Sequence, residues 1–72
     1  MNIQQAKRLK KGQVIEHKIW KNADGTRQRW KVTSIKTWKT REDVEVHLKR
    51  GLYEFYILYA SDMDNFVVPR RV

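Results

Sequence analysis

Between Val44 and Lys49 apolar and polar residues alternate without a break. Val44, Val46 and Leu48 are set against Glu45, His47 and Lys49. A two-residue period puts the two sets on opposite faces of an extended chain, so this segment predicts a half-buried strand. Lys49-Arg50-Gly51-Leu52 follows as a tight turn, with Gly51 at the permissive position. Residues 53–60 predict the next strand. They are apolar on both faces apart from Glu54, a pattern that expects a central strand or a covered outer face.

Upstream, residues 13–20 predict a strand from Val14, Ile15, Ile19 and Trp20, with His17 and Lys18 breaking the apolar run. Asn22-Ala23-Asp24-Gly25-Thr26 is a hairpin turn, because Gly25 tolerates positive φ. Residues 27–38 form a long strand in which Trp30 and Val32 share the core face and Ile35 has the opposite parity. A bulge near Thr33-Ser34 returns Ile35 to the core and bends the strand, as a small closing sheet requires. Residues 39–43 are a polar connection.

The ends are shorter elements. Residues 2–10 predict a short helix capped by Asn2, with Ile3, Ala6 and Leu9 on one face and Gly12 beyond its end. At two turns it must dock on the sheet to be stable; the alternative is a disordered basic tail. Residues 61–65 predict one helical turn capped by Ser61, with Asp62 and Asp64 at its positive end. Residues 66–68 are a last strand, which Pro69 places at an edge or terminates. The expected fold is mainly β: five short strands curled into a small barrel, with a short N-terminal helix and one helical turn before the last strand. One domain spans 1–72, comprising a basic helical lead-in (1–12), the barrel (13–69) and a basic tail (70–72).

Size changes this picture in one respect. At 72 residues the core is thin, since a domain this small buries only about 60% of its unfolded surface. There is no cysteine to staple it, and two histidines, His17 and His47, are too few for a structural metal without carboxylate help. Eight aromatic residues supply large buried areas instead. No apolar run approaches the length of a bilayer span, and the first dozen residues lack the apolar middle of a secretory signal. These features fit a cytoplasmic protein, complete at this size and microbial or viral in origin.

Charge changes it more. Residues 1–41 hold twelve Lys/Arg against two acids, a balance of +10; residues 42–69 hold two against six, a balance of −4. Such a field draws polyanions to one part of the molecule.

The order of elements resembles the small SH3-like barrels, including the Tudor, KOW and chromatin-protein variants. The resemblance rests on Leu9-Lys10-Lys11-Gly12-Gln13-Val14-Ile15, on the Gly51 hairpin, and on the 61–65 turn leading into Phe66-Val67-Val68-Pro69, and it covers residues 9–69. The chain is also similar to small reading frames of phage and plasmid origin in Asn22-Ala23-Asp24-Gly25-Thr26 before Arg29-Trp30. The barrel resemblance implies binding rather than catalysis, with nucleic acid, peptides or modified side chains as ligands. Fold analogy alone does not choose among them.

The residues narrow that choice. Arg27, Arg29 and Lys31 form a row on one strand face, and Lys36, Trp38, Lys39 and Arg41 follow it. A row of cations on a sheet tracks phosphates, and Trp38 and Trp20 are candidates to stack on bases. The bland alternative is a solvated strand face whose aliphatic stems cover apolar surface. Lys7, Arg8, Lys10, Lys11 and the Arg70-Arg71 tail read either as phosphate grips or as solubilising charge. A strand histidine without an orienting partner is not a general base, and Asp62 and Asp64 suit capping better than metal ligation. With no phosphate-cradling glycine loop and no nucleophile motif, the expectation is a non-enzymatic module without a cofactor. Its expected partner is DNA or RNA. The alternative is a host protein, docked through Tyr53, Tyr56 and Tyr59 in the acidic-aromatic second half. An exposed strand edge beside Pro69 leaves either a monomer or a small homo-oligomer open.

Overall fold

Five antiparallel strands form one sheet in the computed structural model, which describes residues 1–69. They are β1 (Val14–Lys21), β2 (Arg27–Thr37), β3 (Val44–Arg50), β4 (Glu54–Tyr59) and β5 (Phe66–Val67), ordered β4-β3-β2-β1-β5. A 3-10 turn, Ala60–Asn65, carries the chain from β4 at one edge to β5 at the other, and the sheet curls between them. The concave side holds a single core of Ile15, Trp30, Val32, Val44, Val46, Leu48, Leu58 and Phe66. Met63 from the 3-10 turn and Ala6 and Leu9 from the N-terminal lead-in complete it. Each fully buried Val, Leu, Ile or Phe contributes up to about 1.5–3 kcal/mol, so a core this small leaves little margin.

The bend that closes the sheet lies where the parity of Ile35 requires it. Val32 opposes Leu48 and Ser34 opposes His47, so Thr33 is one extra residue on β2. Its hydroxyl donates to the His47 carbonyl at 3.1 Å, and Ile35 returns to the core side. A second irregularity lies in β1. Glu16 opposes Arg29 and Lys21 opposes Arg27, so residues 17–20 face only Gln28. His17 fills this wide bulge from inside. Its Nδ1 accepts from the backbone N–H groups of Ile19 (3.0 Å) and Trp20 (2.8 Å). The Trp20 ring stacks on the imidazole with centroids 3.9 Å apart.

The helix α1 covers only Ile3–Lys7, shorter than the expected 2–10. It is held by a capping box in which Gln5 N–H donates to Asn2 Oδ1 (2.9 Å) and Asn2 N–H to Gln5 Oε1 (3.0 Å). Ala6 and Leu9 are buried as expected. Three further expectations are corrected. The strand with two apolar faces, β4, is an edge strand with its outer face bare: Phe55, Ile57 and Tyr59 are 69%, 40% and 50% exposed. Apolarity on both faces does not by itself identify a covering element. The 3-10 turn starts one residue early, with Tyr59 rather than Ser61 at its N-cap and no side-chain cap bond. The last strand ends at Val67, one residue short of the expected 68. The expected basic tail 70–72 lies outside the described residues. Among the described residues no helix is long and apolar enough to cross a membrane.

Candidate nucleic-acid interface

Ladder register assembles the outer face of the sheet from side chains far apart in sequence. Ile15, Trp30, Val32, Val44, Val46, Leu48 and Leu58 turn inward, so their chain neighbours turn outward. One outward row crosses four strands: Val14, Lys31, Lys49 and Phe55. The next outward row runs Ser34, His47, Ile57, and a third runs Lys36, Glu45, Tyr59. Toward the other end Glu16 opposes Arg29, and at the hairpin Lys21 opposes Arg27.

Arg27, Arg29, Lys31 and Lys36 thus share the outer face of β2, the last of them through the Thr33 bulge, which preserves outward parity across an odd spacing. Carboxylates on this face are already engaged. Glu16 takes the Arg29 Nε at 3.1 Å, and Glu45 meets His47 Nε2 at 2.8 Å. Lys31 and Lys49 stand directly opposite one another, and among the described residues neither has an ion-pair partner. Like charges facing across a ladder are destabilising, and the Lys49 ammonium leans over the Phe55 ring at 5.8 Å from its centroid. An open cleft of about 490 Å³ lies here, lined by Arg29, Lys31, Lys49, Arg50 and the two glycines Gly12 and Gly51.

Lys36, Trp38 and Arg41 form a second group at the β2–β3 connection. The Trp38 ring carries Lys36 Nζ at 5.4 Å and Arg41 Cζ at 4.6 Å from its centroid, and Arg41 also reaches Asp43 at 3.6 Å. Lys39 is exposed beside it. Trp20 does not join either group. It lies over the end of the core, packed on His17 and edge-on to Tyr56 at 5.5 Å, with 40% of its surface exposed.

The second half of the chain divides differently from its sequence pattern. Tyr56 turns inward among Trp20, Trp30 and Phe66, where burial and then the Asp62 carboxylate push its phenol above the usual range. Tyr53 and Tyr59 stay exposed. Lys49 does not stand out in the sequence, because its segment is acidic overall. The alternation Glu45-His47-Lys49 places it outward, but its neighbour Lys31 follows only from a register fixed by the bulge. Burial lowers the pKa of His17 below its ordinary 6.5, keeping the ring neutral and Nδ1 free to accept. No family model, curated protein or solved structure matches the chain.

Proposed function

We propose that this chain is a small, non-enzymatic nucleic-acid-binding module of the SH3-like barrel type, gripping phosphates with the outer face of β2 and β3. The observation that carries this reading is the directly opposed Lys31–Lys49 pair, which has no ion-pair partner among the described residues and is flanked by Arg27, Arg29 and Lys36. Successive phosphates of a backbone laid over the pair neutralise one ammonium group each and so relieve their repulsion, and displacing condensed counterions adds a favourable entropy. The strand order and the 3-10 turn before β5 support the barrel type. The acidic-aromatic protein-docking reading is favoured only by the exposure of Tyr53 and Tyr59, since Tyr56 lies inside.

Binding of labelled DNA and RNA is expected at low salt and is expected to weaken steeply between about 50 and about 200 mM. Replacing Lys31 and Lys49 together by alanine should reduce the slope of log K against log salt by up to about 2 on duplex, roughly 0.9 for each phosphate no longer neutralised. A slope unchanged in the double variant, or no binding at low salt, removes the proposal.

A further inference from the structure

Four exposed apolar side chains follow one another along β4 and the turn before it: Tyr53 (88% exposed), Phe55, Ile57 and Tyr59. The last three share the outer face with the cations. Phe55 ends the row that begins Val14, Lys31, Lys49, and Tyr59 ends the row that begins Lys36, Glu45. Adjacent strands lie about 4.8 Å apart, so the aromatic stripe runs parallel to the β2 cations at roughly 10 Å, with Lys49 between them. The Lys49 ammonium sits 5.8 Å from the Phe55 ring, bridging the two stripes.

We propose that this face binds single-stranded nucleic acid in preference to duplex, with the backbone over Lys31, Lys49 and Lys36 and bases packed on Phe55, Ile57 and Tyr59. This rests on the nucleic-acid reading above and adds the strandedness of the ligand. A duplex hides the faces of its bases in its own stack, and offers an aromatic stripe beside a cation row only sugar and phosphate. A single strand presents both a charged backbone and free π-faces, and the two stripes lie side by side to receive them. Charge complementarity selects this occupant. Among the described residues Lys31 and Lys49 have no ion-pair partner, so the occupant must bring anions in register with them, and a single strand carries one at every phosphate beside its free bases. The exposed β4 aromatics thereby acquire a role distinct from the core aromatics Trp30 and Tyr56.

The test is fluorescence anisotropy of a labelled oligothymidylate and a labelled duplex of equal length, using the full chain at about 50 mM salt. Phe55→Ala and Tyr59→Ala are compared with the wild type. Both side chains are exposed, so both variants keep the fold, which circular dichroism verifies. The expected result is tighter binding of the single strand. Each substitution should weaken it about tenfold and leave duplex binding and the salt slope unchanged. Equal binding of the two ligands with no effect of Phe55→Ala overturns the inference and leaves the phosphate-binding reading standing. No binding of either ligand removes both. Self-association of the wild type in sedimentation, abolished by Phe55→Ala while oligothymidylate binding is unaffected, assigns the stripe to a second copy and also overturns it.

Discussion

His17 occupies the least replaceable polar position in the core. It is 3% exposed, its Nδ1 accepts two backbone donors, and its ring supports Trp20 on one side and meets Phe66 edge-on at 4.8 Å. Protonation at Nδ1 would turn the acceptor into a donor facing two N–H groups. Burial therefore depresses the folded-state pKa below 6.5 while the unfolded chain keeps the ordinary value. The sign follows from proton linkage. Below pH 6.5 the unfolded state takes up the proton that the folded state refuses, so stability is full above that pH and declines as the pH falls through it toward the folded value. Urea midpoints should accordingly drop between about pH 7.5 and about pH 5.5 in the wild type, and markedly less in His17→Gln, which keeps an acceptor but cannot titrate. Equal drops in the two proteins would assign the loss to other groups. The sequence marks His17 only as an interruption of an apolar run. That it turns inward to satisfy a wide bulge depends on the Lys21–Arg27 pairing, which is a property of the hairpin.

At the scale of elements, the Thr33 bulge decides both the curl of the sheet and the composition of its outer face. Val32, Ser34 and Ile35 keep regular partners on β3 on either side of the extra residue, so deleting Thr33 leaves a ladder that can pair straight through. What it removes is the bend and the hydroxyl bond to the His47 carbonyl. Thr33→Val loses only the bond, worth roughly 1 kcal/mol, or a fall in Tm of about 4–8 °C in a domain of this size. The deletion should fall well below that, because a flatter sheet closes less completely over Phe66 and Met63. If thermal melts of the two variants coincide, the bulge does not shape the core. Much of this architecture is legible in the residues. The alternation at 44–49, the Asp24-Gly25 and Gly51 turns and the parity of Ile35 each express local chemistry, and Gly25 and Gly51 do adopt positive φ, 87° and 65°. The position of β4 is not legible. An edge strand with a bare outer face and a central strand buried on both faces have the same apolar composition, and only the pairing order separates them.

For the whole molecule the governing quantity is a net charge of +8 on 72 residues. The first 41 residues carry +10, more than the whole net, but the sequence does not gather it on a face. The face arises when register sets β2 beside β3, bringing Lys49 from the acidic half against Lys31. If the proposed nucleic-acid reading holds, the free protein and its complex should respond oppositely to salt. Added salt screens self-repulsion and should raise the urea midpoint of the free chain, while it weakens nucleic-acid binding. The Lys31–Lys49 pair makes the same contrast local. Lys31→Gln or Lys49→Gln removes a cross-strand repulsion of roughly 0.2–1 kcal/mol, so either should stabilise the fold by about that amount at low salt. The double substitution should gain little beyond one single, because the first already abolishes the repulsion and the two sites are coupled. On the proposed reading affinity should move the other way, falling with each substitution and further with both, since each lysine would contact a phosphate of its own. Lysines that serve only as a solvated face predict no loss of binding. Lysines that support the core predict lost stability. A gain in stability coupled to a loss of affinity is the pattern of residues kept for binding at the expense of the fold.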